Sequence, residues 1–131
     1  MRPIRVLLVD EPHPASLTVQ RELETVGFDV HVASTPVAGM LSLARVKPDL
    51  LMVNPHAGHG TSAEWQRAIQ RYRVSHSLAV LVIAVQLPPK ERKTLAEVAD
   101  LGVVDRPSCP GCVLQILAAW RGQEHRTGHV S

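Results

Sequence analysis

The sequence predicts an α/β fold, a parallel sheet with helices on both of its faces. Three observations predict it. Apolar, strand-like runs alternate five times with segments of helical period. The runs Val6-Leu7-Leu8-Val9 and Ala79-Val80-Leu81-Val82-Ile83-Ala84-Val85 are apolar without alternation, as strands covered on both faces should be. Proline signals stand where the crossovers should turn into helices.

In chain order, a first strand near 4–9 ends in the acids Asp10 and Glu11. Ala15, Val19, Leu23 and Val26 then recur at helical spacing and stop at Gly27. A second strand is predicted near 29–33. Thr35 supplies an N-cap before Pro36 at the first helical position, and the second helix carries Val37, Met40, Leu41 and Ala44 as its apolar stripe. A third strand near 49–53 delivers Asn54, and a third helix spans about 63–72. The fourth strand, 79–85, is followed by Pro88-Pro89 opening a fourth helix. After a fifth strand at 103–105, Pro110 opens a fifth helix with Val113, Ile116, Leu117 and Trp120 on one stripe. The predicted domain is 1–121, and the polar segment 122–131 reads as a disordered tail.

A chain of 131 residues with 45% hydrophobic content has the size of one compact domain. No stretch reaches the roughly 18 uncharged apolar residues of a membrane span. The start, Met1-Arg2-Pro3-Ile4, runs straight into a strand rather than a signal peptide, so a cytoplasmic location is expected. Cys109 and Cys112 are too few and too close for the disulfide framework of a secreted miniprotein. The formal charge of +2, with 11 arginines among 14 basic residues, gives no push toward nucleic acid or membranes. With no internal repeat and no second domain in the sequence, a solo module is expected.

The order and spacing of these elements, the strand Ile4-Arg5-Val6-Leu7-Leu8-Val9 ending in Asp10-Glu11, the run Pro48-Asp49-Leu50-Leu51-Met52-Val53 before Asn54, and Arg106-Pro107 together resemble a response-regulator receiver domain over roughly residues 3–121. The resemblance implies a doubly wound, flavodoxin-like sheet of order 2-1-3-4-5, with a site beyond the carboxyl ends of strands one and three. Asp10, Glu11 and Asn54 would converge there. In that family the pocket is an acidic Mg²⁺ site, and an aspartate at the position of Asn54 takes a phosphoryl group from a phosphohistidine.

An amide oxygen, its lone pair delocalised, does not attack as a carboxylate does. Losing one negative charge also weakens the hold on a hard cation, so Mg²⁺ is expected to bind weakly or not at all. Pro55 has no backbone N–H, which closes the succinimide route from Asn54 to Asp. Ala84 stands where the family carries a hydroxyl, Val103 where it carries an aromatic ring, and Arg106 where it carries a lysine. An ion pair from Arg106 to Asp10 or Glu11 and a cis peptide at Arg106-Pro107 are further expectations. The reading is a receiver that signals without phosphorylation, without enzymatic activity or cofactor, through contacts with other signalling proteins. A receiver pocket that keeps Mg²⁺ or a small ligand without chemistry is one alternative.

A second alternative rests on His13, His56, His59, Cys109 and Cys112, all on strand-to-helix loops. Cys109-Pro110-Gly111-Cys112 at a helix N-terminus favours thiolate and could cycle between dithiol and disulfide as a redox sensor. His56-x-x-His59 with the thiols could instead hold Zn²⁺. Equally, Cys112 could pack as a small apolar residue with the histidines solvated.

The resemblance also implies a homodimer face on the fourth helix, fifth strand and fifth helix, with Lys93, Glu97, Val103, Val113 and Trp120 as candidates. The same charges could form i,i+4 pairs such as Lys93 with Glu97, and Trp65 and Trp120 could be core. Arg67, Arg71 and Arg73 form either a docking face or a solvated one. Aromatic stacking residues are scarce, so direct contact with nucleic acid is not expected.

Overall fold

The computed structural model describes residues 2–105 and 110–130, without the side chains at 110, 112 and 123–130. The elements run β1 (Arg5–Val9), α1 (Pro14–Thr25), β2 (Asp29–Ala33), α2 (Pro36–Val46), β3 (Leu50–Val53), a short 3-10 turn (Ala57–His59), α3 (Ser62–Arg73), β4 (Ala79–Ala84), α4 (Pro89–Ala96), β5 (Val103–Asp105) and α5 (Pro110–Val130). All five strands are parallel, in the order β2-β1-β3-β4-β5. This is the doubly wound receiver arrangement. The order reverses between β1 and β3, where Val9 is in register with Val53. Asp10 and Asn54 therefore leave the sheet side by side.

Successive strand residues point to opposite faces, and here both faces are covered. On one, Leu7, Val9, Leu51, Val53, Val80 and Val82 pack with Leu43, Trp65, Ile69 and Leu95. On the other, Val6, Leu8, Leu50, Met52 and Leu81 pack with Leu23, Val113, Leu117 and Trp120. Two-sided burial explains why the strands lack alternation. Each large side chain so buried contributes about 1.5–3 kcal/mol relative to exposure.

The second helix is rotated from its expected phase, although Met40 of the expected stripe does pack against the core. Its buried residues are Pro36, Gly39 and Leu43, while Val37 is 70% exposed and Leu41 52%. The cause is Trp65, fully buried on α3: a Cβ on Gly39 would stand 2.7 Å from its ring and 3.1 Å from Val9 Cγ2. The helix backbone lies against the indole because glycine lets it, and this contact outweighs the larger apolar count of the other face.

Val113 and Trp120, considered above as interface residues, are core, with 5% and 8% of their surface exposed. The i,i+4 pair of Lys93 and Glu97 is not what engages Glu97. Its Oε2 accepts from Gln66 Nε2 at 2.7 Å, tying α4 to α3. Past Gly122, where a disordered tail was expected, the backbone continues as α5 to Val130. Gly122 and Gly128 cost the helix only about 1 kcal/mol each, and Gln123, Glu124 and Arg126 are good helix formers. Among the described residues no helix is long and apolar enough to cross a membrane.

Candidate functional site

The sheet ladder extends one residue beyond β1 and β3: Asp10 N donates to Ala33 O at 3.0 Å and Asn54 N to Val9 O at 2.8 Å. These bonds hold both side chains at the switch point. Asp10 is 2% exposed. Its Oδ1 accepts from Glu11 N at 2.9 Å and from Asn54 Nδ2 at 3.1 Å, and its Oδ2 lies 3.5 Å from His13 Nε2. The other end of the amide is also used, since Asn54 Oδ1 accepts from His56 N at 3.1 Å. A backbone N–H can only donate, so it fixes which end of the amide is oxygen and turns the NH₂ toward Asp10. An ionised carboxylate at position 54 has no proton to offer that oxygen.

His13 belongs to the N-terminus of α1. Its Nδ1 accepts from Ala15 N at 3.2 Å, and Ser16 Oγ accepts from His13 N at 3.3 Å. With Nδ1 accepting, the neutral ring carries its proton on Nε2, facing Asp10. The residue read above as a metal candidate thus caps a helix and offers Asp10 a donor.

Glu11 is exposed, with Oε1 3.4 Å from Gly58 N. Ala84 is buried in the core at the end of β4. Val103 is half-buried against the core under α2, α3 and α4. A cavity of about 120 Å³ between α1 and β2 reaches Asp10, lined also by Ser16, Leu17 and Val32.

The β3–α3 loop is packed closely. A Cβ on Gly58, whose φ is 61°, would meet Ser34 O at 2.7 Å, and one on Gly60 would meet Pro55 O at 2.5 Å. Thr61 and Glu64 then close a capping box at the start of α3. From this loop His56 Nε2 reaches Glu91 Oε1 on α4 at 2.7 Å, and Ser62 Oγ donates to the same oxygen at 2.6 Å. The Ser62 hydroxyl first, and the His56 ring second, hold the Glu91 carboxyl below the usual glutamate range.

His59 is exposed, at φ 65°. Among the described residues no three of His, Cys, Asp and Glu come together as a metal-holding group. His13, His56 and His59 are therefore not gathered into one site. Arg106, Pro107, Cys109 and the Cys112 thiol lie outside the described residues. Sequence reasoning missed Glu91 and Ser62. The available signal was topological: in a parallel sheet, every strand-to-helix loop opens on the same edge, so the first turn of α4 borders the pocket.

No family model and no curated protein matches the chain by sequence. Solved structures similar to it are receiver domains of response regulators. The CheY-like response regulator receiver domain protein from Methanospirillum hungatei superposes with TM-score 0.83 at 14% identity, over 95% of this chain and 98% of that one. The chemotaxis response regulator CheY4 of Vibrio cholerae gives 0.75 at 18%, over 89% and 98%. The N-terminal domain of a response regulator/sensory box/GGDEF 3-domain protein from Carboxydothermus hydrogenoformans gives 0.72 at 22%, over 94% and 98%.

Proposed function

We propose that this chain is a receiver-type signalling module that works without phosphoryl transfer, through contacts with other signalling proteins. The receiver fold supports a role in signal transduction. The observation that carries the finer reading is the 3.1 Å hydrogen bond from Asn54 Nδ2 to Asp10 Oδ1.

Aspartyl phosphate formation needs a carboxylate oxygen to attack phosphorus and a cation to neutralise the charge that gathers. Here position 54 supplies an amide whose oxygen accepts from His56 N. The donor set does not fit Mg²⁺ either. Where a hard cation would bridge two acids, Asp10 faces the Asn54 amide and the His13 Nε2, and both present N–H groups. In effect, protein N–H groups occupy the place beside the buried carboxylate that a metal would take, and Ala84 provides no hydroxyl for a phosphoryl group. No reaction of its own is assigned to the module.

Its surface for partners, a second copy included, is the face of α4, β5 and α5, where Lys93 is exposed. The test is an amide NMR titration with Mg²⁺ and beryllofluoride, a phosphoryl mimic. Unchanged resonances for Asp10, Glu11 and His56 support the reading, and saturable shifts there overturn it.

A further inference from the structure

The fourth helix is held to the fold by little apolar burial, since Leu95 alone of its eight residues is buried. Polar contacts decide where it sits. Glu91 meets His56 and Ser62, Gln66 Nε2 reaches Glu97 Oε2 and Thr94 O, and Arg92 pairs with Asp105 at 2.7 Å. Of these, the contact to His56 leads back into the pocket. Its backbone N–H is held by Asn54 Oδ1, and Asn54 Nδ2 holds Asp10. A continuous path of hydrogen bonds, passing through the covalent frames of Asn54 and His56, therefore joins the buried acid of β1 to α4.

Resting on the reading above, we propose that His56 is a positioning residue, a latch through which the side chain at position 54 sets the placement of α4. The ring donates Nε2–H to Glu91 Oε1, and Ser62 donates to the same oxygen, so one ionised carboxylate ties α4 to both the loop and α3. The close packing of Gly58 on Ser34 and of Gly60 on Pro55 leaves the loop little room to carry the ring elsewhere. The outer side of α4, with Lys90 and Lys93 exposed, is then presented by an amide-built pocket rather than by a phosphoryl group.

The experiment is hydrogen–deuterium exchange on the full chain without a phosphodonor, comparing the parent with His56→Ala, Glu91→Ala, Asn54→Ala and the His56→Ala/Asn54→Ala double variant. In both single variants of the contact α4 amides are expected to exchange faster, roughly fivefold to tenfold in His56→Ala, which loses one charge-assisted hydrogen bond at a half-exposed site, and at least as much in Glu91→Ala, which also loses the bond from Ser62. Amides of β1 and β4 should keep their rates. Asn54→Ala should speed α4 as well, and the double variant should be no faster than the faster single. Unchanged α4 rates in both contact variants, multiplying effects in the double, or a general acceleration of the sheet in both would each overturn the latch. A beryllofluoride response would overturn the phosphorylation-independent reading and leave these rates as they are, so the two failures are distinguishable.

Discussion

Asn54 Nδ2 stands 3.1 Å from Asp10 Oδ1 at the point where the strand order of the sheet reverses. The register of Val9 with Val53 puts the two side chains there, and the His56 N–H decides which way the amide faces. A buried carboxylate needs charge or hydrogen bonds to compensate the water it has lost. At this site the Asn54 amide and the Glu11 N–H do part of that on Oδ1, and His13 lies beside Oδ2.

Asn54→Asp brings a second carboxylate against Asp10 and removes its donor. Like charges at such a distance disfavour one another's ionisation, and the variant is expected to lose about 1–3 kcal/mol without divalent cations. Added Mg²⁺ should restore part of that, because two acids now share a hard cation. Thermal unfolding with and without Mg²⁺ reads both effects. A variant as stable as the parent in the absence of Mg²⁺ would contradict the donor role of Asn54.

The rotation of α2 makes a paired expectation. Leu43→Ala should cost about 2–5 kcal/mol, whereas Val37→Ala, on a side chain 70% exposed, should cost about 0.5 kcal/mol or less. Urea denaturation of the two variants decides the phase of the helix, and the reverse order of costs would contradict it.

Gly39→Ala places a methyl group where the Trp65 ring lies 2.7 Å away. Helix propensity favours the substitution by about 1 kcal/mol, but overpacking of this kind costs about 1–3 kcal/mol. A net loss of stability, with a changed Trp65 fluorescence, is expected. A more stable protein would show that the ring yields easily.

These expectations mark what the sequence could and could not disclose. Unbroken apolar runs announced both-sided strands, and Thr35-Pro36 announced α2. Its phase was not legible, because a pattern that counts apolar side chains assigns no weight to Gly39, the residue the indole needs. The meeting of Asp10 and Asn54 was legible, because their places follow from strand order. The pairing of His56 with Glu91 was not, since it depends on how the β3–α3 loop and the first turn of α4 meet in three dimensions. His13 looked like a ligand, while Pro14 immediately after it was the available sign of a helix cap.

Glu91 gives the pH dependence. Its carboxyl is held below the ordinary range by Ser62 and then His56. A depressed folded value contributes stability that is fully present above the unfolded pKa of about 4.3. That contribution is lost as pH falls through the lower folded value. Because Glu91 is about one-third exposed, solvent screening keeps the effect modest. Urea midpoints of parent and Glu91→Gln should therefore differ at neutral pH and converge in acid. A constant difference across that range would remove the carboxylate from the account.

The most direct measurement is intact mass after incubation of the full chain with acetyl phosphate and Mg²⁺. The parent is expected to show no phosphoryl adduct, while Asn54→Asp, with a carboxylate placed at the switch point, serves as the comparison. An adduct on the parent, at Asp10 or any other residue of the pocket, would contradict phosphorylation-independent signalling.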